Sequence, residues 1–237
     1  MSGPIIAGSR VTGVSRTMLA DLAPLLQRAL ALDPAAVTRL RIGERSVSAL
    51  IRLPFDVLVG RAIAVAPRPD PDPDDIAGGE RTVAVADLLA WLDGAAHPEP
   101  REQAWRGATP PATGWQRVDT VPATVVRDIV AKAGQALREA AEREGVPGGT
   151  PRAAVVDSLL DSVVLTVTAD PLAGAAGGPA HRPVEITLRL LMALTRMDFV
   201  ADRGDLGIDA CGRWVRGATR VGSAYAERPG LGLTLLR

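Results

Sequence analysis

Between His97 and Pro122 the chain carries five prolines and two of its four tryptophans. That run is a break in composition. The segment therefore divides the sequence into two mixed stretches, 1–96 and 120–237, with 97–119 as the connection. A disordered linker rarely holds two tryptophans, because each needs a large apolar area covered. Residues 97–119 are accordingly read as a docked segment anchored by Trp105 and Trp115. A length of 237 residues allows two small units or one large one.

Hydropathy periods on either side predict an α+β fold with antiparallel sheets and packed helices. Leu22, Leu26 and Leu30 share a helical face. With Asp21 as N-cap, Pro24 falls in the first turn, and Asp33-Pro34 stops the helix, giving 22–32. The period then switches to two over Val37–Ile42, Ser46–Leu53 and Val57–Val65, a three-stranded meander. Residues 68–80 have no apolar face and read as a loop. Val83 and Val85 finish a strand, and Asp87–Asp93 forms a helical turn carrying Trp91.

The second stretch opens with the clearest helix, 122–144. Val126, Ile129, Val130, Ala133, Leu137 and Ala140 form its apolar face, Pro122 takes its first position, and Gly145 ends it. A second helix starts at Thr150-Pro151, a strand follows over Val163–Thr168, and 172–182 is rich in Gly and Ala. Pro183–Phe199 reads as an almost wholly apolar helix with Glu185, Arg189 and Arg196 in a narrow charged stripe. A hairpin over 208–227 and a last strand over 231–236 complete the reading. No repeat of 20 to 50 residues is legible.

The catalytic inventory is thin: two His, one Cys, one Tyr and one Lys stand against 26 Arg. Enzymes working near neutral pH draw nucleophiles and proton shuttles from His, Cys, Lys and shifted carboxylates. No catalytic residue, no metal and no cofactor is therefore assigned. Cys211 alone excludes an intramolecular disulfide, and no Cys/His cluster has zinc spacing. Asp157 and Asp161 lie one turn apart without a companion base, and Asp198, Asp202, Asp205 and Asp209 lack calcium-loop spacing; both sets read as solvated. His97 and His181 sit in Pro-flanked loops. The opening 14 residues lack an apolar signal core, and no stretch reaches the about 18 apolar residues of a membrane span. A cytoplasmic protein with no membrane association is expected.

Binding residues stand out more than catalytic ones. The run Cys211-Gly-Arg-Trp-Val-Arg216, with Arg220 beyond it, makes a basic ribbon after a helix, the order of a winged helix. Against a nucleic-acid role, net charge is zero, and the stretches before and after residue 120 carry 13 basic to 14 acidic and 14 to 13 residues. Asp209 and Glu227 flank the ribbon as well. Arg39, Arg41, Arg52 and Arg61 interrupt the first meander without the alternating aromatics of an RNA-binding sheet. The candidate binding residues are Trp105, Arg106, Trp115, Arg213, Trp214, Arg216 and Arg220.

The segments Trp105-Arg-Gly, Pro110-Pro, Gly114-Trp115, Gly145-Val-Pro-Gly and Gly212-Arg-Trp214 resemble conserved actinobacterial proteins of unknown function over most of the chain. That resemblance implies no activity and no site residue. The expectation is a non-enzymatic interaction or scaffold protein whose partner is another protein or a second copy of itself. The alternatives are a winged-helix-like nucleic-acid binder and a small-molecule binder with a Trp/Arg-lined pocket.

Overall fold

A computed structural model describes residues 13–43, 45–66, 75–76, 78–144, 152–168 and 183–228. The expectations for residues 68–74, for Gly145, for the Thr150-Pro151 helix start, for 172–182 with His181, and for a strand over 231–236 fall outside these residues, and the end of the loop expected over 68–80 is strand instead, because Gly79 and Glu80 pair with Ile42 and Arg41. The fold is α+β with antiparallel strand pairs, and the chain forms two compact units, 1–51 with 61–106 and 52–60 with 107–237.

In the first unit α1 (Arg16–Leu19) passes through a 3₁₀ turn into α2 (Ala23–Leu32). Helical backbone thus begins before Asp21, which lies inside the 3₁₀ turn and does not cap; Pro24 keeps its place in the first turn of α2. The meander falls where its period placed it, as β1 (Val37–Ile42), β2 (Ser46–Arg52) and β3 (Leu58–Ala64). β4 (Gly79–Ala84) pairs with β1 and runs directly into α3 (Val85–Leu92), which buries Trp91 completely. Arg16 lies over the Trp91 ring at 5.4 Å and donates to Ala95 O at 2.9 Å. The outer side of β4 is occupied: Arg101 N–H donates to Thr82 O at 2.7 Å, and Thr82 N–H donates to Glu102 Oε1 at 2.8 Å.

In the second unit β5 (Gln116–Pro122) runs directly into α4 (Ala123–Arg143), followed by α5 (Ala153–Leu160) and β6 (Val163–Val167). β7 (Val184–Thr187) pairs with β6 and passes into α6 (Leu188–Arg196). β8 (Asp205–Cys211), β9 (Trp214–Ala218) and β10 (Ser223–Glu227) form an antiparallel meander; β5 pairs with β8, and Leu58–Gly60, the part of β3 that belongs to this second unit, pair with β10. Gly212, with φ +54°, occupies the first position of the two-residue β8–β9 turn, which requires positive φ. α6 lies against one sheet face: a Cβ on Gly217 would stand 2.8 Å from Leu194. Its Leu188, Leu190, Leu191 and Leu194 are buried, each contributing about 2 kcal/mol.

Besides Asp21 and the end of the 68–80 loop, three sequence readings differ from the structure. Residues 184–187 are strand, because Val184-Glu185-Ile186-Thr187 alternates and pairs with β6, so Glu185 leaves the charged stripe. Residues 205–227 hold three strands where a single hairpin was read. Pro122 is the N-cap of α4 and closes β5, one residue earlier than its expected helical position.

A recurrence invisible in the sequence emerges from these elements. A strand passes without a loop into a helix at β4–α3, β5–α4 and β7–α6, and a helix precedes a three-stranded meander at both 23–64 and 188–227.

Candidate functional site

Strand alternation sorts the β8–β9 pair into two faces. Leu206, Ile208, Val215 and Gly217 face α6, and Gly207, Asp209, Cys211 and Arg216 point to the other side. There Asp209 is held between two arginines. Arg117 Nε donates to Asp209 Oδ1, and Arg216 donates to Oδ2 from Nε at 2.8 Å and from Nη2 at 2.7 Å. The Asp209 side chain is 3% exposed, Arg216 25% and Arg117 53%. A buried carboxylate is tolerated only when paired and hydrogen-bonded, and here both oxygens are engaged. The Arg117 guanidinium lies over Gly207, on the space a Cβ there would fill.

Aromatic rings complete the cluster. Arg216 lies over the Trp115 ring at 4.6 Å, and Trp115 tilts against Tyr225 with centroids 5.6 Å apart. Trp115 Nε1 donates to Pro111 O at 2.9 Å, and Cys211 Sγ lies 3.7 Å from Thr113 O. The proline-rich stretch before β5 is thus fastened to this face. Arg213 pairs with Glu227 at 3.4 Å and lies 6.0 Å from the ring of buried Trp214.

The first unit carries a related but shallower arrangement. Glu80 Oε2 accepts from Arg39 Nε at 2.8 Å and Nη2 at 2.6 Å, and Oε1 accepts from Arg41 Nε at 3.0 Å. Arg39 lies 5.8 Å from the Trp105 ring. The Arg39 hydrogen bonds hold the Glu80 carboxyl below the usual carboxylate range, against partial burial and with help from Arg41.

A pocket of about 510 Å³ opens where α6 ends, beside the first turn of α4 and the β9–β10 turn. α6 closes with Asp198 at φ +57°, Asp198 N–H on Thr195 O and Phe199 N–H on Leu194 O, a Schellman ending that sets Phe199 at the pocket wall. The Phe199 ring lies over Gly222, where a Cβ would overlap it. Arg203 and Arg220 line this pocket, and none of the tryptophans does.

Of the residues singled out in the sequence, Trp115, Arg213, Trp214 and Arg216 come together on the second unit. Trp105 belongs to the first unit, and Arg106 is exposed at its last position. Arg220 lies apart in the pocket. Sequence reading missed Arg117, Tyr225 and above all Asp209, which was taken for part of a solvated acidic loop and is a buried β8 residue. Its signal was the alternation Leu206-Gly-Ile-Asp-Ala210, which places it in a strand. Asp157 and Asp161 meet Arg189, at 3.9 and 2.8 Å, on an exposed surface. Among the described residues no helix is long and apolar enough to cross a membrane.

Solved structures of bacterial sliding clamps share this fold. The DNA polymerase III subunit beta of Pseudomonas aeruginosa matches with TM-score 0.51 and 11% identity over 96% of this chain and 68% of its own. The Bartonella birtlesii sliding clamp bound to griselimycin gives 0.52 and 11% over 93% and 65%, and the Helicobacter pylori beta clamp in complex with carprofen gives 0.51 and 8% over 96% and 67%. A second Pseudomonas aeruginosa clamp is covered over 64% of its length, so the chain spans about two thirds of the clamps it matches. At these identities the likeness is one of fold. No curated protein sequence matches. Residues 9–109 match the Domain of unknown function (DUF8010). Residues 110–231, more than half of the chain and the whole of the Asp209 cluster, match the Domain of unknown function (DUF8185), and the chain belongs to that family.

Proposed function

We propose that the protein is a non-enzymatic interaction scaffold that docks a protein, in the first instance a second copy of itself, on the second unit's sheet face away from α6. The observation that carries this reading is the buried Asp209 between Arg117 and Arg216, with Trp115 stacked on the latter. Trp, Tyr and Arg dominate binding energy at protein interfaces, because large rigid surfaces and forked donors lose little entropy on docking. Here the carboxylate fixes both guanidiniums before any partner arrives. Outermost strands are less suited to docking. Thr82 N–H on β4 is occupied by Glu102, and Thr120 N–H on β5 by Asp119 at 2.7 Å, which blunts strand addition. The likeness in fold to DNA polymerase sliding clamps supports a scaffold over an enzyme.

The winged-helix alternative draws less support. Arg213 and Arg216 are paired with carboxylates and Arg220 lines a separate pocket, so the three do not form one basic ribbon. Sedimentation velocity over a concentration series tests the proposal. The wild type should associate as concentration rises, and Trp115→Ala and Arg117→Ser should remain monomeric with folded-state spectra intact. A wild type that stays monomeric at every concentration contradicts self-docking. Salt-dependent duplex DNA binding well below about 10⁻⁴ M at physiological salt would select the nucleic-acid reading instead.

A further inference from the structure

The pocket at the end of α6 is distinct from the proposed docking face, and its lining combines apolar and basic side chains. Phe199, Val200, Leu206 and Val221 supply apolar wall, and Arg203 and Arg220 supply two guanidiniums. Neither guanidinium has a hydrogen bond or ion pair among the described residues, and Asp205 is the opposing charge in the lining. Asp202, next to Arg203, is engaged elsewhere, at 2.9 Å from Arg127 Nη1.

The walls are held in place from outside. Arg127 donates to Ala201 O at 3.1 Å and to Asp202 O at 2.6 Å, and Ala123 N–H donates to Gly204 O at 3.0 Å, fixing the 201–204 loop. Thr219 Oγ1 donates to Gly222 O at 3.0 Å and accepts from the N–H groups of Val221 and Gly222 at 3.3 Å, fixing the β9–β10 turn. A ligand entering such a pocket orders little backbone, so more of its contact energy appears as affinity.

We propose that this pocket binds a small amphipathic acid, an apolar ring or short chain that ends in one carboxylate. About 510 Å³ lies in the range of small-molecule sites, roughly 300 to 1,000 Å³. The apolar body covers Val200 and Val221 above the buried Phe199 and Leu206, and the acid group accepts charge-assisted hydrogen bonds from Arg203 and Arg220. A neutral molecule of the same shape leaves both guanidiniums without that partner.

Anilinonaphthalene sulfonate, an aromatic body with one acid group, serves as the probe on the full chain. Its fluorescence should report one saturable site, displaced by octanoate and not by octanol at equal concentration. The double variant Arg203→Ala/Arg220→Ala should weaken probe binding about tenfold or more with an unchanged thermal midpoint. Ala201→Trp, which fills the pocket from its rim, should abolish the site. The proposal is overturned if the wild type shows no saturable site, if octanol displaces as well as octanoate, or if both variants bind like the wild type.

Discussion

In each unit a carboxylate stands between two arginines, one of them lying against a tryptophan from the proline-rich segment, yet the two arrangements sit at different depths. Glu80 is 44% exposed, and its partner Arg39 lies 5.8 Å from Trp105. Asp209 is 3% exposed, and Arg216 lies 4.6 Å from Trp115. Water competes for every Glu80 contact, so the surface ion pairs there contribute at most about 1 kcal/mol. The Asp209 carboxylate is shielded from water, and the two arginines together compensate the buried charge. The same residue types therefore make a surface network in one unit and a buried carboxylate with both oxygens engaged in the other. Burial, set by which strand positions turn inward, decides between them.

The largest expected difference is between truncations. Arg216→Ala leaves the buried Asp209 with Arg117 alone and should cost about 3 kcal/mol in chemical denaturation. Arg39→Ala should cost less than about 1 kcal/mol; equal costs would erase the contrast. Gly207→Ala comes next. Its Cβ takes the place of the Arg117 guanidinium, and because that side chain is flexible but tied to Asp209 the cost should be about 1 kcal/mol. In an Arg117→Ala background the same change should cost nothing measurable, and a cost that persists there would show that the guanidinium is not the obstacle.

The smallest effect concerns pH. Because the folded carboxyl of Glu80 titrates below its unfolded value, its contribution is present above the unfolded pKa and is lost as pH falls through the folded one. The stability difference between wild type and Glu80→Gln should shrink steadily on acidification below the usual carboxylate range. A difference that grows in acid would reverse the sign.

Local patterning made much of this legible in advance. The meander at 37–64 matched its period of two, and α4 matched its apolar face. What escaped was decided by tertiary contact. Val184–Thr187 lies in an apolar run that serves a helix as well as a strand, and only pairing with β6 selects the strand. Asp209 looked like one of four loop aspartates until β8 turned it toward Arg117 and Arg216. Arg220 was grouped with Arg213 and Arg216 by proximity in sequence, but the β9–β10 turn carries it to the other end of the strands, into the pocket beside Phe199.

The contrast in depth is tested most directly by paired double-mutant cycles, Asp209/Arg216 in the second unit and Glu80/Arg39 in the first. Each cycle isolates the coupling between carboxylate and guanidinium from the other effects of truncation. A coupling of about 2 kcal/mol for Asp209/Arg216 against less than about 0.5 kcal/mol for Glu80/Arg39 is the predicted result. Equal couplings, or a larger one for Glu80/Arg39, would contradict the account that burial sets the strength of the Asp209 cluster.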